Sequence, residues 1–238
     1  MVAGRADRAE RVCDLAVEHR VGGRDRRSGR ALHAAGAAVA ATDAVLGGWA
    51  DNAFCAVRPP GHHATRSRAM GFCFLNNVCI AARHALEAGG LERVAIVDFD
   101  VHHGNGTQDI FWDDDTVFFA SLHQWPFYPG TGGPHEQRET TLNVPLSAGS
   151  GDAEYLHAFD VAIAPAVEAF APDLVLVSAG FDAHEDDPLA GMNVTDGGFR
   201  ELAERCAALG PRCAAVLEGG YNLATLPPLV AAALSGFG

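Results

Sequence analysis

Residues 94–106, VAIVDFDVHHGNG, constrain the fold of this chain more than any other stretch. Residues 94–97 are a short apolar run, which predicts a buried strand. The run then turns polar. Asp98, Asp100 and His102 follow at intervals of two, so an extended backbone sets their side chains on one face. Two carboxylates and an imidazole on one face make a poor core and a good metal site. Gly104 and Gly106 then let the chain turn sharply and approach a neighbour closely. A single Asp at a strand end reads as a cap for the next helix. Three ligand-type residues in alternation read as a site.

Around this stretch the chain alternates strand and helix. Helices are predicted over residues 9–19, 31–46, 75–87, 152–169, 196–209 and 226–234, with a short helical turn at 107–112. The charged run at residues 24–30 is expected to interrupt helix. Strands are predicted over 53–57, 94–99, 116–121, 174–178 and 214–217, and a proline-containing loop over 124–139. Apolar strands between helices imply a mainly parallel sheet covered on both faces, an α/β fold. Each of the five strands ends in a cluster of Gly with His, Asp or Tyr. In an open α/β sheet those ends lie along one edge, where ligands bind. His62, Asp100, His123, Asp182 and Tyr221 are therefore expected to converge on one crevice.

The chemistry follows from the residue types. Asp182 is the best third partner for Asp100 and His102, because it also follows a strand. Asp, His and Asp leave a fourth position open, the pattern of a catalytic zinc site. Fe(II) suits the same oxygen and nitrogen donors. Of His62 and His63, one can move a proton between water and a leaving group, with Asp98 orienting an imidazole. Tyr221, after two glycines, can donate to a developing oxyanion. Together these parts suit metal-assisted hydrolysis of an amide.

Composition narrows the class. A length of 238 residues suits one α/β domain. The formal net charge is −13 with no basic stripe, which argues against nucleic-acid binding and is read first as solubility. All 17 basic residues are Arg, read as a base-composition effect. No apolar run approaches the ~20 residues of a membrane helix, and residues 1–30 have no signal-peptide core. None of the six cysteines forms a C-x-x-C pair, so buried thiols in a reducing cytoplasm are expected.

The segments RPPGHHA (58–64), GFCFLNN (71–77), VDFDVHHGNGTQ (97–108), SLHQWPFYPGTG (121–132), AGFDAH (179–184) and EGGYN (218–222) resemble the zinc-dependent histone deacetylase family, above all its class II and bacterial members. The resemblance runs from about residue 31 to the end. It implies the arginase/deacetylase fold, with a single catalytic domain over 31–238 and a divergent or poorly ordered segment over 1–30. The family's longer N-terminal part, with its His-Pro-Glu signature, has no match in residues 1–30, so the sheet is expected to lack the usual first strand.

By the same resemblance Asp100, His102 and Asp182 bind zinc. His62 and His63 form the proton relay, with His63 as general base and acid and with Asp98 and Asn105 as their respective partners. Asn105 stands where some members have Asp. Tyr221 is the transition-state donor. Gly71, Phe72, Tyr128, Leu189 and Gly219 line the acyl-lysine channel. Potassium is implied at Asp98, Asp100, His102, Ser121 and Leu122, and again at Phe111, Asp114 and Val117. The implied reaction is zinc-dependent removal of acetyl or a similar acyl group from acyl-lysine. The alternatives are deacetylation of a small cationic molecule, such as an acetylpolyamine, and a non-catalytic acyl-lysine-binding remnant of the fold.

Overall fold

The structure is a computed structural model that describes residues 26–238. The helix expected over 9–19 lies outside the described residues, as does Cys13. Six strands form one sheet: β1 (Asn52–Cys55), β2 (Val94–Asp98), β3 (Val117–Gln124), β4 (Thr141–Leu146), β5 (Leu174–Ala179) and β6 (Cys213–Leu217). Every pairing is parallel, in the order β1-β6-β5-β2-β3-β4. The described residues contain no strand before β1.

Alternation within the strands builds two cores. Val94 and Ile96 of β2, with Leu174 and Leu176 of β5, face helices α1 (Arg26–Leu46) and α2 (Asn77–Glu87). Phe111 of the short helix α3 (Asn105–Phe111) joins that face. Ala95, Val97, Val175 and Val177 face the other way. There they meet α4 (Asp152–Ala158), α5 (Ala164–Phe170), α6 (Asp196–Ala208) and α7 (Leu226–Phe237). A strand buried on both faces explains the continuous apolar runs.

Several boundaries differ from expectation. Helix α1 starts at Arg26, so it crosses the boundary placed at residue 30. Arginine is a good helix former, and from Arg26 onward the charged run is helical rather than a break. The helix predicted over 152–169 is interrupted by a π-helical segment, Phe159–Ile163, before α5. Pro165 supplies the reason: it has no N–H, and its ring crowds the carbonyl four residues back, which a wider turn relieves. Strand β3 runs on to Gln124, three residues past its expected end. Strand β4 has no counterpart among the sequence expectations. It carries Pro145, which a sheet tolerates at an edge, and β4 is an edge strand.

The topology positions the site. From β2 the chain runs outward through β3 and β4, then returns to β5 on β2's other side. The carboxyl ends of β2 and β5 therefore sit side by side at a switch point, where open α/β sheets bind ligands.

Candidate metal and active site

Asp98 ends β2, and Asp100 and His102 follow it at intervals of two, in the bends beyond the strand. Asp98, Asp100 and Asp182 are fully buried. One oxygen or nitrogen from each of Asp100, His102 and Asp182 lies within 4.8 Å of the others. His102 Nδ1 is 3.0 Å from Asp100 Oδ1 and 3.1 Å from Asp182 Oδ2. Backbone amides hold the outer oxygens: Val101 N–H donates to Asp182 Oδ1 at 3.0 Å and Gly219 N–H to Asp100 Oδ2 at 2.7 Å. The structure thus sets Gly219 against the carboxylates. A Cβ there would lie 2.0 Å from Asp182 Oδ2, so only glycine fits.

Electrostatics describe a site built for a cation. Burial works to lower the His102 pKa, but hydrogen bonds to Asp100 and Asp182 outweigh it and raise the imidazole to about 10. Burial likewise opposes the Asp100 charge, yet His62 and His102 hold its carboxyl well below the usual range. Burial, with Asp100 next to it, pushes Asp182 up. A proton on His102 here does what a divalent ion would do. Two carboxylates and one imidazole are suitable donors for such an ion.

The tandem histidines enter from the loop after β1. Their rings lie tilted by 38° with centroids 4.0 Å apart. His62 Nδ1 is 2.9 Å from Asp98 Oδ2, and His63 Nδ1 is 2.8 Å from Asn105 Oδ1. Burial pulls on both. For His62 the charges of Asp98 and Asp100 prevail and raise the pKa well above normal. For His63 burial wins, helped by His62, and the pKa falls to about 3. So the pair divides into a charged ring and a neutral one.

Aromatic groups surround this centre. Tyr128 meets His63 edge-on at 5.2 Å and His102 at 6.0 Å, while Phe127 stacks on His102 at 5.2 Å. Phe72 lies 5.9 Å from Tyr221 across the mouth. Phe72, Tyr128 and Leu189 are 68%, 44% and 43% exposed, unusual openness for large apolar groups. Phe72 has φ +66°, a left-handed conformation that is rare for a bulky side chain and marks a constrained position. Its neighbour Gly71, at φ +55°, packs so closely that a Cβ would meet His63 Cδ2 at 2.2 Å. Burial pushes the Tyr221 phenol up, and the charges of Asp100 and Asp182 add to it. It therefore remains a proton donor.

His123, expected in the crevice, turns elsewhere. Its Nδ1 is 2.9 Å from Ser121 Oγ and its Nε2 is 2.9 Å from Gly132 O. It pairs with His103, whose Nδ1 is 2.8 Å from Thr131 Oγ1. Strand β3 runs past Ser121 and pairs His123 with Pro145 of β4, while both ring nitrogens are taken by Ser121 and Gly132. Of the residues read for potassium, Ser121 sits in register with Asp98 on the adjacent strand. Phe111, Asp114 and Val117 share a tight turn, with Asp114 N–H donating to Phe111 O at 3.0 Å and Val117 N–H to Asp114 O at 3.4 Å.

Three further residues support the site without having been singled out. Glu218 is fully buried and accepts from Gly61 N–H at 2.6 Å and His62 N–H at 3.1 Å. Burial raises its pKa to about 7. Asp187 accepts from Tyr221 N–H and Leu189 N–H. Arg58 donates to the carbonyls of Glu218 and Gly220. A carboxylate closing an apolar strand was the available signal for Glu218. Arg58 opens the quoted segment RPPGHHA, but nothing local gave it a role, and no local signal marked Asp187.

The fold and this donor set define a parallel α/β protein of the arginase/deacetylase kind, with its Asp–His–Asp cluster at the switch point. Residues 20–237 match the family described as "Histone deacetylase domain". Rice "Histone deacetylase 10, chloroplastic" is 50% identical over 215 residues, covering 84% of this chain and 48% of that protein. Mouse "Polyamine deacetylase HDAC10" is 46% identical over 205 residues, covering 81% of this chain and 31% of that protein. The crystal structure of the HDA15 HD domain superposes with a TM-score of 0.85 at 37% identity, covering 98% of this chain and 68% of that one. The chain belongs to the histone deacetylase family. It spans about half or less of the length of those two curated relatives.

Proposed function

We propose that this chain is a zinc-dependent amidohydrolase that removes acetyl or a similar acyl group from acyl-lysine side chains. The observation that carries the reading is the buried Asp100–His102–Asp182 triangle, with His63 on one side and Tyr221 at the same mouth. Those three residues would hold the ion, which when bound supplies a Lewis acid and lowers the pKa of water.

The chain's own residues do the rest. Asn105 Oδ1 engages His63 Nδ1, so His63 Nε2 is the nitrogen left to take a proton from the attacking water. The same nitrogen then returns it to the departing amine. His62, held by Asp98, keeps a positive charge beside it. The Tyr221 phenol donates to the carbonyl oxygen as negative charge grows there. Phe72, Tyr128 and Leu189 would grip the uncharged aliphatic stem, with Gly71 leaving room for His63.

Zinc is the ion proposed, with Fe(II) suited to the same donors. Potassium is proposed at Asp98, Asp100, His102, Ser121 and Leu122, and at Phe111, Asp114 and Val117. The catalytic unit is proposed as the single domain over residues 31–238. A small acetylated polyamine is the second reading, supported by the mouse relative's name and by the net charge of −13. The apolar mouth favours acyl-lysine.

Cys55, Cys73, Cys79, Cys206 and Cys213 are buried free thiols, which suits a reducing compartment such as the cytoplasm. The rice relative is named chloroplastic, also an intracellular setting. No helix among the described residues is long and apolar enough to cross a membrane. The test is hydrolysis of an acetyl-lysine peptide and of acetylputrescine by metal-stripped protein before and after one equivalent of Zn²⁺. Zinc-dependent turnover of the peptide supports the proposal. A folded, zinc-loaded sample that hydrolyses neither would leave the non-catalytic reading standing.

A further inference from the structure

Tyr221 follows two glycines, and Gly220 has φ +119°, outside the range other residues adopt. The backbone on either side of it is anchored, with Phe181 N–H donating to Gly219 O at 3.2 Å and Leu226 N–H to Asn222 O at 2.9 Å, but neither bond fixes the peptide groups of Gly220 and Tyr221 themselves. A flexible turn would let the phenol wander, and a misplacement of about 1 Å at a reacting centre costs on the order of 100-fold in rate. The structure instead grips the turn from two sides.

On one side is Arg58, which opens the loop carrying His62 and His63. Its Nη1 donates to Glu218 O and its Nη2 to Gly220 O at 2.8 Å. Its guanidinium carbon lies 5.8 Å from the Tyr221 ring centroid. This planar fork spans two carbonyls and meets the ring with one group, which a lysine cannot reproduce. On the other side is Asp187. Its Oδ2 accepts from Tyr221 N–H at 2.7 Å and its Oδ1 from Leu189 N–H at 3.0 Å. Asn222 Nδ2 donates to Asp186 O at 2.9 Å and extends the same grip.

We propose that Arg58 is a positioning residue for Tyr221, holding the phenol at the mouth against the opposing grip of Asp187. The proposal rests on the reading of Tyr221 as the oxyanion donor. It also links two parts of the site, because the loop that delivers the histidines aims the phenol as well. Arg58 is exposed, so replacing it leaves the core untouched.

The test is a double-mutant cycle with a spectroscopic arm. Arg58→Ala should lower kcat about 10- to 100-fold with little change in KM. In a Tyr221→Phe background the same change should have almost no further effect, since the group it acts through is gone. The chain has three tyrosines, so 3-fluorotyrosine labelling gives three ¹⁹F signals, with Tyr221→Phe assigning one. Arg58→Ala should shift or broaden that signal and leave those of Tyr128 and Tyr155 in place. If Arg58→Ala does not fold, Arg58→Lys is read in the same way, because it keeps the charge but cannot bridge both carbonyls.

Equal losses in both backgrounds, or an unmoved Tyr221 signal, would overturn the proposal. If Tyr221→Phe alone keeps full turnover, the donor reading fails. The fluorine signal still decides whether Arg58 places the ring.

Discussion

His63 Nδ1 lies 2.8 Å from Asn105 Oδ1, and this contact sets which nitrogen of the ring is free for proton transfer. Deep burial, with the His62 charge beside it, lowers the pKa of that imidazole to about 3, and the hydrogen bond to Asn105 works only weakly the other way. In Asn105→Asp a carboxylate would replace the amide and favour the imidazolium. The His63 pKa should rise, and the acid limb of the kcat/KM–pH profile should move to higher pH. An unshifted acid limb in Asn105→Asp would show that His63 is not the group titrating there.

Gly71→Ala tests the packing behind the same ring. The new Cβ would meet His63 Cδ2 at 2.2 Å, on a backbone with φ +55°. Turnover should fall on the order of 100-fold through displacement of His63. Metal content should remain at the wild-type level, because the ligands do not touch Gly71. Steady-state kinetics with elemental analysis on one sample checks both statements.

Tyr221→Phe removes one hydroxyl. Loss of a single oxyanion donor predicts a drop in kcat of about 100- to 1,000-fold with KM nearly unchanged. Wild-type turnover in this variant would rule out the phenol as donor.

Asp182→Ala removes a carboxylate that lies 3.1 Å from His102 Nδ1. It should abolish stoichiometric zinc binding, and isothermal titration of the metal-stripped variant measures that directly. One full equivalent retained at wild-type affinity would disprove the ligand assignment.

Metal-free protein should also show a characteristic pH dependence of stability. His102 has a folded pKa of about 10, raised above its unfolded value against the pull of burial by Asp100 and Asp182. A raised folded pKa contributes stability that is fully present below about pH 6.5 and is lost as pH climbs through about 10. The buried cysteines, whose pKa values burial pushes up, work in the same direction at the alkaline end. The Tm of metal-free protein should therefore fall from pH 7 to pH 10. One equivalent of Zn²⁺ should flatten that fall, because the ion replaces the proton. Thermal scans across this range, with and without zinc, make the comparison.

Much of this arrangement is legible in the sequence. The spacing of Asp98, Asp100 and His102 is local and marked them as ligand types directly, although the strand stops at Asp98 and the other two lie in the bends that follow rather than on one strand face. Apolar runs marked the four inner strands β2, β3, β5 and β6, because strands buried on both faces leave few polar residues to confuse the pattern, and a short apolar run marked the edge strand β1 as well. The edge strand β4 escaped notice because an edge makes weaker demands on its residues and even accepts Pro145. His123 differs for another reason: its ring nitrogens meet Ser121 and the carbonyl of Gly132, and the loop contact is not encoded in local spacing.

The sequence by itself determined the chemistry on offer: an alternating carboxylate–imidazole strand end, a tandem histidine and a tyrosine behind two glycines. It did so because each is a matter of residue type and short spacing. Only the tertiary structure decided which of these groups meet. Parallel order places β5 beside β2, and so brings Asp182 to within 3.1 Å of His102 across 80 residues of chain. It also decided that Arg58 reaches Gly220 and that Asp187 holds Tyr221. Those contacts join loops remote in sequence, and nothing in local spacing encodes them. They arise when long-range packing of the sheet brings the strand ends together.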